Sequence, residues 1–162
     1  MTVRALRVSR VLVVLLALAS MVTGQFLVND ASKNDWEEIN FDFNSAVLTD
    51  GFPSLLRLAE LLNQNAAFKV RLDGHTDSIG SEKYNEKLAL RRCDAVKAFL
   101  LKYGARSNQI EVAPKGKRVP KVDNKTKEGR WINRRVAMGV LDGQGKLIGD
   151  AAGGVGDAIK TI

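Results

Sequence analysis

The 162-residue chain has one cysteine, one histidine and three prolines. A lone cysteine excludes an internal disulfide, so the fold must be held by packing. Cys93 is then either a cross-link to a second chain or a small apolar residue on a packed helix face, and its surroundings favour the second. One histidine and one distant cysteine do not make a set of metal ligands. They do not make a nucleophilic triad either. The base of a triad is oriented by a third group across the fold, whereas His75 shares a single turn with Thr76, Asp77 and Ser78. No cofactor and no enzymatic activity are therefore expected, and His75 is assigned a structural or peripheral, pocket-lining place. Acids are also scarce: 18 against 25 basic residues, for a net charge of +7 and a pI near 9.7. That balance favours anionic partners and says nothing about fold.

The chain lacks a long apolar run as well. Val11 to Ala19 is too short to span a membrane alone. With Arg4, Arg7 and Arg10 before it, and small residues at Ala17-Leu18-Ala19 or Val22-Thr23-Gly24 after it, residues 1–24 read as a secretory signal peptide. The alternative is an uncleaved anchor over residues 11–28, a weak span interrupted by Ser20, Thr23, Gly24 and Gln25. A membrane would be a partner only in that second case. No cysteine stands near the cleavage region to carry a lipid. On either reading the body is expected to be exported.

What is present falls into an order. Residues 25–37 are mixed and polar, as in a linker. Ile39, Phe41 and Phe43 alternate with polar residues, the period of a half-buried strand. Thr49 or Asp50 is the expected cap of a helix with Pro53 in its first turn and Leu55, Leu58, Ala59 and Leu62 along one face. Phe68, Val70 and Leu72 mark a second strand running into Gly74. A long helix is expected from about Ser81 to Tyr103-Gly104. Ile110 and Val112 predict a third strand, a lysine-rich loop follows from Pro114 to about Trp131, and Val136, Met138 and Val140 predict a last strand. Residues 142–162 crowd six glycines and predict a flexible tail, ending in a short helix at most. There is no internal repeat. Helices between strands imply crossovers over one sheet.

One residue breaks the pattern. At about 100° per residue, Leu88, Arg92, Ala95, Val96, Phe99 and Tyr103 share a face of the long helix, with Asn85 one turn earlier. Arg92 thus lies where the core should be, and a buried guanidinium without a partner is costly. Asp77, in the turn between strand and helix, is the nearest candidate. A carboxylate and a guanidinium a few ångströms apart either form a structural ion pair or clamp a zwitterion, one taking an ammonium and the other a carboxylate. Spacing alone leaves both open.

Three segments carry a resemblance: INFDFNSAVLTD (Ile39 to Asp50), GHTDSIGSEKYNEKLALRR (Gly74 to Arg92) and DNKTKEGRWINRRVAM (Asp123 to Met138). In this order and spacing they resemble the OmpA C-terminal-like, peptidoglycan-binding domain, also found in peptidoglycan-associated lipoproteins and flagellar motor stators. The resemblance covers about residues 38–141. It implies that Asp77 and Arg92 hold diaminopimelate of the peptidoglycan stem through its ammonium and carboxylate. It also implies that Phe41, Asp42, Thr76, Asn85 and Leu88 line the pocket. Arg134 and Arg135 match an arginine pair before the last strand, with Arg135 expected to be structural or peripheral. The chain departs from the family in Arg91 and Cys93, where small residues are usual, and in Val112 to Lys115 at the exit of the third strand.

The fold expected is α/β (α+β), a βαβαβ-β sandwich of one mixed four-stranded sheet with two main helices packed on one face. The implied function is non-covalent peptidoglycan binding in the periplasm or cell envelope of a Gram-negative-type bacterium, in association with the outer membrane. The alternative is a periplasmic interaction module of an envelope, secretion or motility assembly, with envelope proteins as partners and wall binding secondary. A nucleic-acid binder is the reading weighed against these, on the cluster of Lys115, Lys117, Arg118, Lys121, Lys125, Lys127 and Arg130. That cluster has only Trp131 for base stacking, and export separates it from nucleic acid, so no nucleic-acid partner is expected.

Overall fold

Period-2 alternation does most of the work in the sheet. In the computed structural model, which describes Trp36 and residues 38–150, strand β2 (Lys69–His75) turns Val70 and Leu72 to one face and Arg71, Asp73 and His75 to the other. β4 (Arg135–Leu141) does the same with Val136, Met138 and Val140 against Arg135, Ala137 and Gly139. β2 lies at the centre, parallel to β3 (Ile110–Gly116) and antiparallel to β4, and β4 pairs in turn with the short β1 (Ile39–Asn40). The sheet is mixed, as expected. Residues 1–35 and 37, which include the predicted signal peptide and most of the linker, lie outside the described residues, as does the chain beyond 150. Trp36, placed in the linker by sequence, is buried in the core.

Helix α1 (Phe52–Gln64) puts Leu55, Leu58, Ala59 and Leu62 against the sheet, and α2 (Glu82–Lys102) adds Cys93, Val96 and Leu100 to the same apolar cluster. Ser81 caps α2, its hydroxyl accepting the Tyr84 N–H at 3.2 Å, and Gly104 follows the helix at φ 102°. The stripe expected on α2 is turned slightly. Ala89 and Leu100 are buried, whereas Tyr103 is exposed and stacks with Phe99. Arg92 stays on the buried side. Gly74 lets β2 approach α2, because a Cβ there would lie 2.6 Å from both the Ala89 carbonyl oxygen and the Cys93 sulfur. Cys93 is buried, donates to the Leu72 carbonyl at 3.5 Å, and has its thiol pKa pushed up to about 12 by burial.

Several expectations need correction. β1 stops at Asn40; Phe43 is 60 % exposed, because the chain turns at Asp42–Ser45 with Asn44 at φ 55°. α1 is capped by Gly51 at φ 72°, with no side-chain cap from Thr49 or Asp50, though Pro53 does sit in the first turn. The lysine-rich loop is partly ordered into β3 as far as Gly116 and into α3 (Lys127–Asn133), capped by Thr126, whose hydroxyl accepts the Gly129 N–H at 3.0 Å. The fully buried Asn133 side chain fastens this helix to the loop before it, accepting from the Lys121 and Val122 amides and donating to the Val122 carbonyl. Residues 142–150, assigned to the head of a flexible tail, form a hairpin. The Asp142 carboxylate accepts the Gln144 and Lys146 amides, and β5 (Leu147–Asp150) pairs antiparallel with the end of β4. Glycine density there reflects the turn, where Gly145 has φ 79°.

Candidate ligand pocket

The connection from β2 to α2 is built by its own polar residues. The Thr76 amide donates to the Gly116 carbonyl at 2.9 Å, at a register shift in the β2–β3 ladder. The Asp77 carboxylate accepts the Ile79 N–H at 3.1 Å, the local bond by which an aspartate favours a turn. From α2, the buried Asn85 amide donates back to the carbonyls of Ile79 at 2.9 Å and Ser81 at 3.0 Å. Gly80 takes φ 94° and its carbonyl accepts from the Lys117 ammonium. Asp77 is held in one orientation, 4 % exposed.

Arg92 is fully buried, and its partners are carbonyls. Nε donates to Ser45 at 2.9 Å, Nη1 to His75 at 2.8 Å and Nη2 to Asp42 at 3.1 Å, while the Phe41 ring lies 5.2 Å beneath the guanidinium carbon. Three of its five N–H donors are thereby used, and each terminal nitrogen keeps one. Burial lowers its pKa to about 10, opposed by the charge of Asp77, so it remains a cation at neutral pH. The ion partner of Asp77 is a different residue. Arg134 Nη1 lies 3.3 Å from the carboxylate, Arg134 Nε donates to the Phe41 carbonyl at 2.9 Å, and Nη2 has no hydrogen-bond partner among the described residues. No ion pair joins Asp77 to Arg92 among the described residues, so the structural-pair alternative does not apply to that couple.

These groups surround a cavity of about 240 Å³ lined by Asp77, Arg92, Arg134, Thr76, Asn85 and Leu88, with Phe43, Asn44, Ile79, Gly80 and Tyr84 at its walls. Of the residues named from sequence, Asp77, Arg92, Thr76, Asn85 and Leu88 meet there. Phe41 and Asp42 do not line it: Phe41 is the buried support under Arg92, and Asp42 contributes a backbone carbonyl to the same guanidinium. His75 and Arg135 also lie off the cavity. His75 is buried on the opposite sheet face, where burial first, then Arg135, lowers its pKa to about 3 and keeps it neutral; Arg135 pairs with Glu38 at 3.2 Å. Sequence reasoning missed Arg134 as a wall residue and missed the rim. Phe43, Ile79 and Tyr84 are all exposed apolar residues around one mouth, and the Tyr84 hydroxyl bonds the Asn44 side chain.

With two guanidinium groups and one carboxylate, the cavity carries a net positive charge. It suits a ligand end bearing both charges in which the anionic groups dominate. Elsewhere most basic residues of residues 115–130 are engaged by the chain itself: Lys115 with Asp73, Lys117 with the Gly80 carbonyl, Arg118 with Glu82 and Glu86, Lys121 with Glu38, Lys125 with Asp123, and Arg130 with the carbonyls of Asn124 and Lys125. Among the described residues there is no group of three His, Cys, Asp or Glu side chains placed to hold a metal ion, and no helix long and apolar enough to cross a membrane.

The model of the OmpA family matches residues 40–134. The chain is 39 % identical over 104 residues to outer membrane porin F of Pseudomonas fluorescens, covering 64 % of this chain and 32 % of that protein. It is 44 % identical over 89 residues to the outer-membrane lipoprotein YfiB of Pseudomonas aeruginosa, covering 55 % of this chain and 53 % of the lipoprotein. The chain thus spans about a third of the porin and about half of the lipoprotein. Among solved structures, the peptidoglycan-associated lipoprotein from Burkholderia pseudomallei aligns with a TM-score of 0.60 and 28 % identity, over 62 % of this chain and 86 % of that one. The C-terminal domain of Helicobacter pylori MotB aligns with a TM-score of 0.58 at 24 % identity, over 64 % of this chain and 83 % of that one, a likeness of fold.

Proposed function

The chain belongs to the OmpA family, and from that premise we propose that residues 38–141 bind peptidoglycan non-covalently, through the diaminopimelate of its stem peptide, in the envelope of a Gram-negative-type cell. Asp77 receives the ammonium of the stem residue. The carboxylate of that stem residue lies against the Nη2 of Arg134, with the two remaining N–H donors of Arg92 behind it. The observation that carries the reading is convergence: Asp77, Arg92 and Arg134 come from a turn, a helix and a strand entry, yet wall one cavity of about 240 Å³. That volume is below the roughly 300–1,000 Å³ of sites for whole small molecules, which suits one zwitterionic end rather than an entire stem. The names of the relatives, an outer-membrane porin and two lipoproteins, one of them peptidoglycan-associated, support a place in the envelope.

Co-sedimentation with purified sacculi tests this. The protein is expected to pellet with sacculi at physiological salt and to be released by excess free stem tripeptide containing diaminopimelate. Retention that salt abolishes and tripeptide leaves untouched would assign the binding to the basic surface instead, since exposed charges are the ones salt screens.

A further inference from the structure

Trp131 is the feature that the pocket does not explain. Large aromatic residues are mostly buried, and the chain's other tryptophan, Trp36, is. Trp131 is 48 % exposed, on a helix with no slack. Thr126 caps α3, buried Asn133 anchors its end, and the Trp131 carbonyl accepts from the Asn40 amide at 3.2 Å. The helix backbone that carries the half-open indole is therefore anchored at both ends.

The indole faces a shallow depression of about 580 Å³ lined by Lys127, Glu128, Trp131, Ile132 and Arg134. Arg134 also walls the Asp77 cavity, so the two hollows share a residue. From this continuity we propose that the depression is a glycan subsite, in which a sugar of the peptidoglycan strand stacks on Trp131 while the stem attached to that strand enters the Asp77 cavity. The proposal rests on the peptidoglycan reading and extends it. A pyranose ring offers polarised C–H groups on one face and hydroxyls around its edge. The electron-rich face of the indole attracts the former, and Lys127 and Glu128 can bond the latter. The size fits: the depression lies in the roughly 300–1,000 Å³ range that holds a ligand of a few rings. The two hollows adjoin at Arg134, and three residues of extended stem span about 10 Å between a sugar and the group at the stem's third residue.

Calorimetry with two soluble probes decides it: the free diaminopimelate tripeptide, and the same tripeptide joined to its N-acetylglucosamine–N-acetylmuramic acid disaccharide. The wild type is expected to bind the disaccharide-tripeptide about tenfold more tightly than the tripeptide. Trp131→Ala is expected to bind the tripeptide as the wild type does, which reports an intact pocket, and to lose the preference; Trp131→Tyr should keep most of it. Equal wild-type affinities would overturn the glycan subsite, as would a preference that survives in Trp131→Ala or a loss of tripeptide binding in that variant. If the wild type binds neither probe, the peptidoglycan reading itself fails.

Discussion

Arg92→Ala is expected to cost about 3–5 kcal/mol of folding stability, since three carbonyls lose a charged donor and each buried acceptor left unpaired costs roughly 1–3 kcal/mol. The reason is local. The guanidinium ties the Asp42 and Ser45 carbonyls of the β1–α1 loop to the His75 carbonyl at the end of β2, all from one buried side chain. Alanine leaves these acceptors without their donor and empties the space over the Phe41 ring. Because domains are stable by only about 5–15 kcal/mol, the variant should be marginal, with a lowered urea midpoint at an unchanged slope. Arg92→Lys should be intermediate, since an ammonium keeps the charge but lacks the planar fork that reaches three carbonyls. A wild-type midpoint in Arg92→Ala would show that the loop needs no such tie. The consequence for function is that lost ligand binding in Arg92→Ala mixes two effects, a missing cation and a loosened pocket wall.

Asp77 separates them. Asp77→Asn is expected to weaken binding of the diaminopimelate stem about 100-fold, the scale of truncating one partner of a buried charge pair, and to lower the melting temperature by less than Arg92→Ala does, because Arg134 loses its ion partner but keeps its other bond. Asparagine is nearly the same shape, and its carbonyl can still accept the Ile79 N–H that shapes the turn. What it cannot do is hold an ammonium as an ion or balance Arg134. Arg134 itself keeps its bond to the Phe41 carbonyl, so the wall should survive. The paired measurements are calorimetric affinity and thermal unfolding. Affinity within about threefold of wild type would remove the carboxylate from the recognition of the ligand.

Much of this arrangement was legible in the chain. Val70 and Leu72, Val136 and Met138 declared their strands because each has one buried face, and Ser81 and Gly104 bracketed α2 through ordinary cap chemistry. The misplaced charge at Arg92 was legible as a demand for partners. It was not legible that carbonyls would meet the demand, because backbone acceptors leave no mark in sequence. Nor could spacing connect Asp77 to Arg134: they are far apart in the chain and meet only because β4 pairs with β2. α3 was hidden by its lysine-rich surroundings and by its short length, and its signals, Thr126 as cap and Gly129 beneath the Asp123 carbonyl, show their use only in the fold. Phe43 illustrates the opposite error. Alternation placed it on the buried face of a strand, whereas the turn at Asn44 sends it to the rim of the cavity.

The most direct measurement compares wild-type affinity for two free tripeptide stems that are identical except at the third residue, diaminopimelate in one and lysine in the other. Lysine keeps the side-chain ammonium that Asp77 would receive and lacks the carboxylate that Arg134 and Arg92 would hold. If the cavity reads a zwitterionic end, the diaminopimelate stem binds at least about 30-fold more tightly, the scale of leaving a buried charged donor unpaired. Equal affinity for the two stems would contradict it.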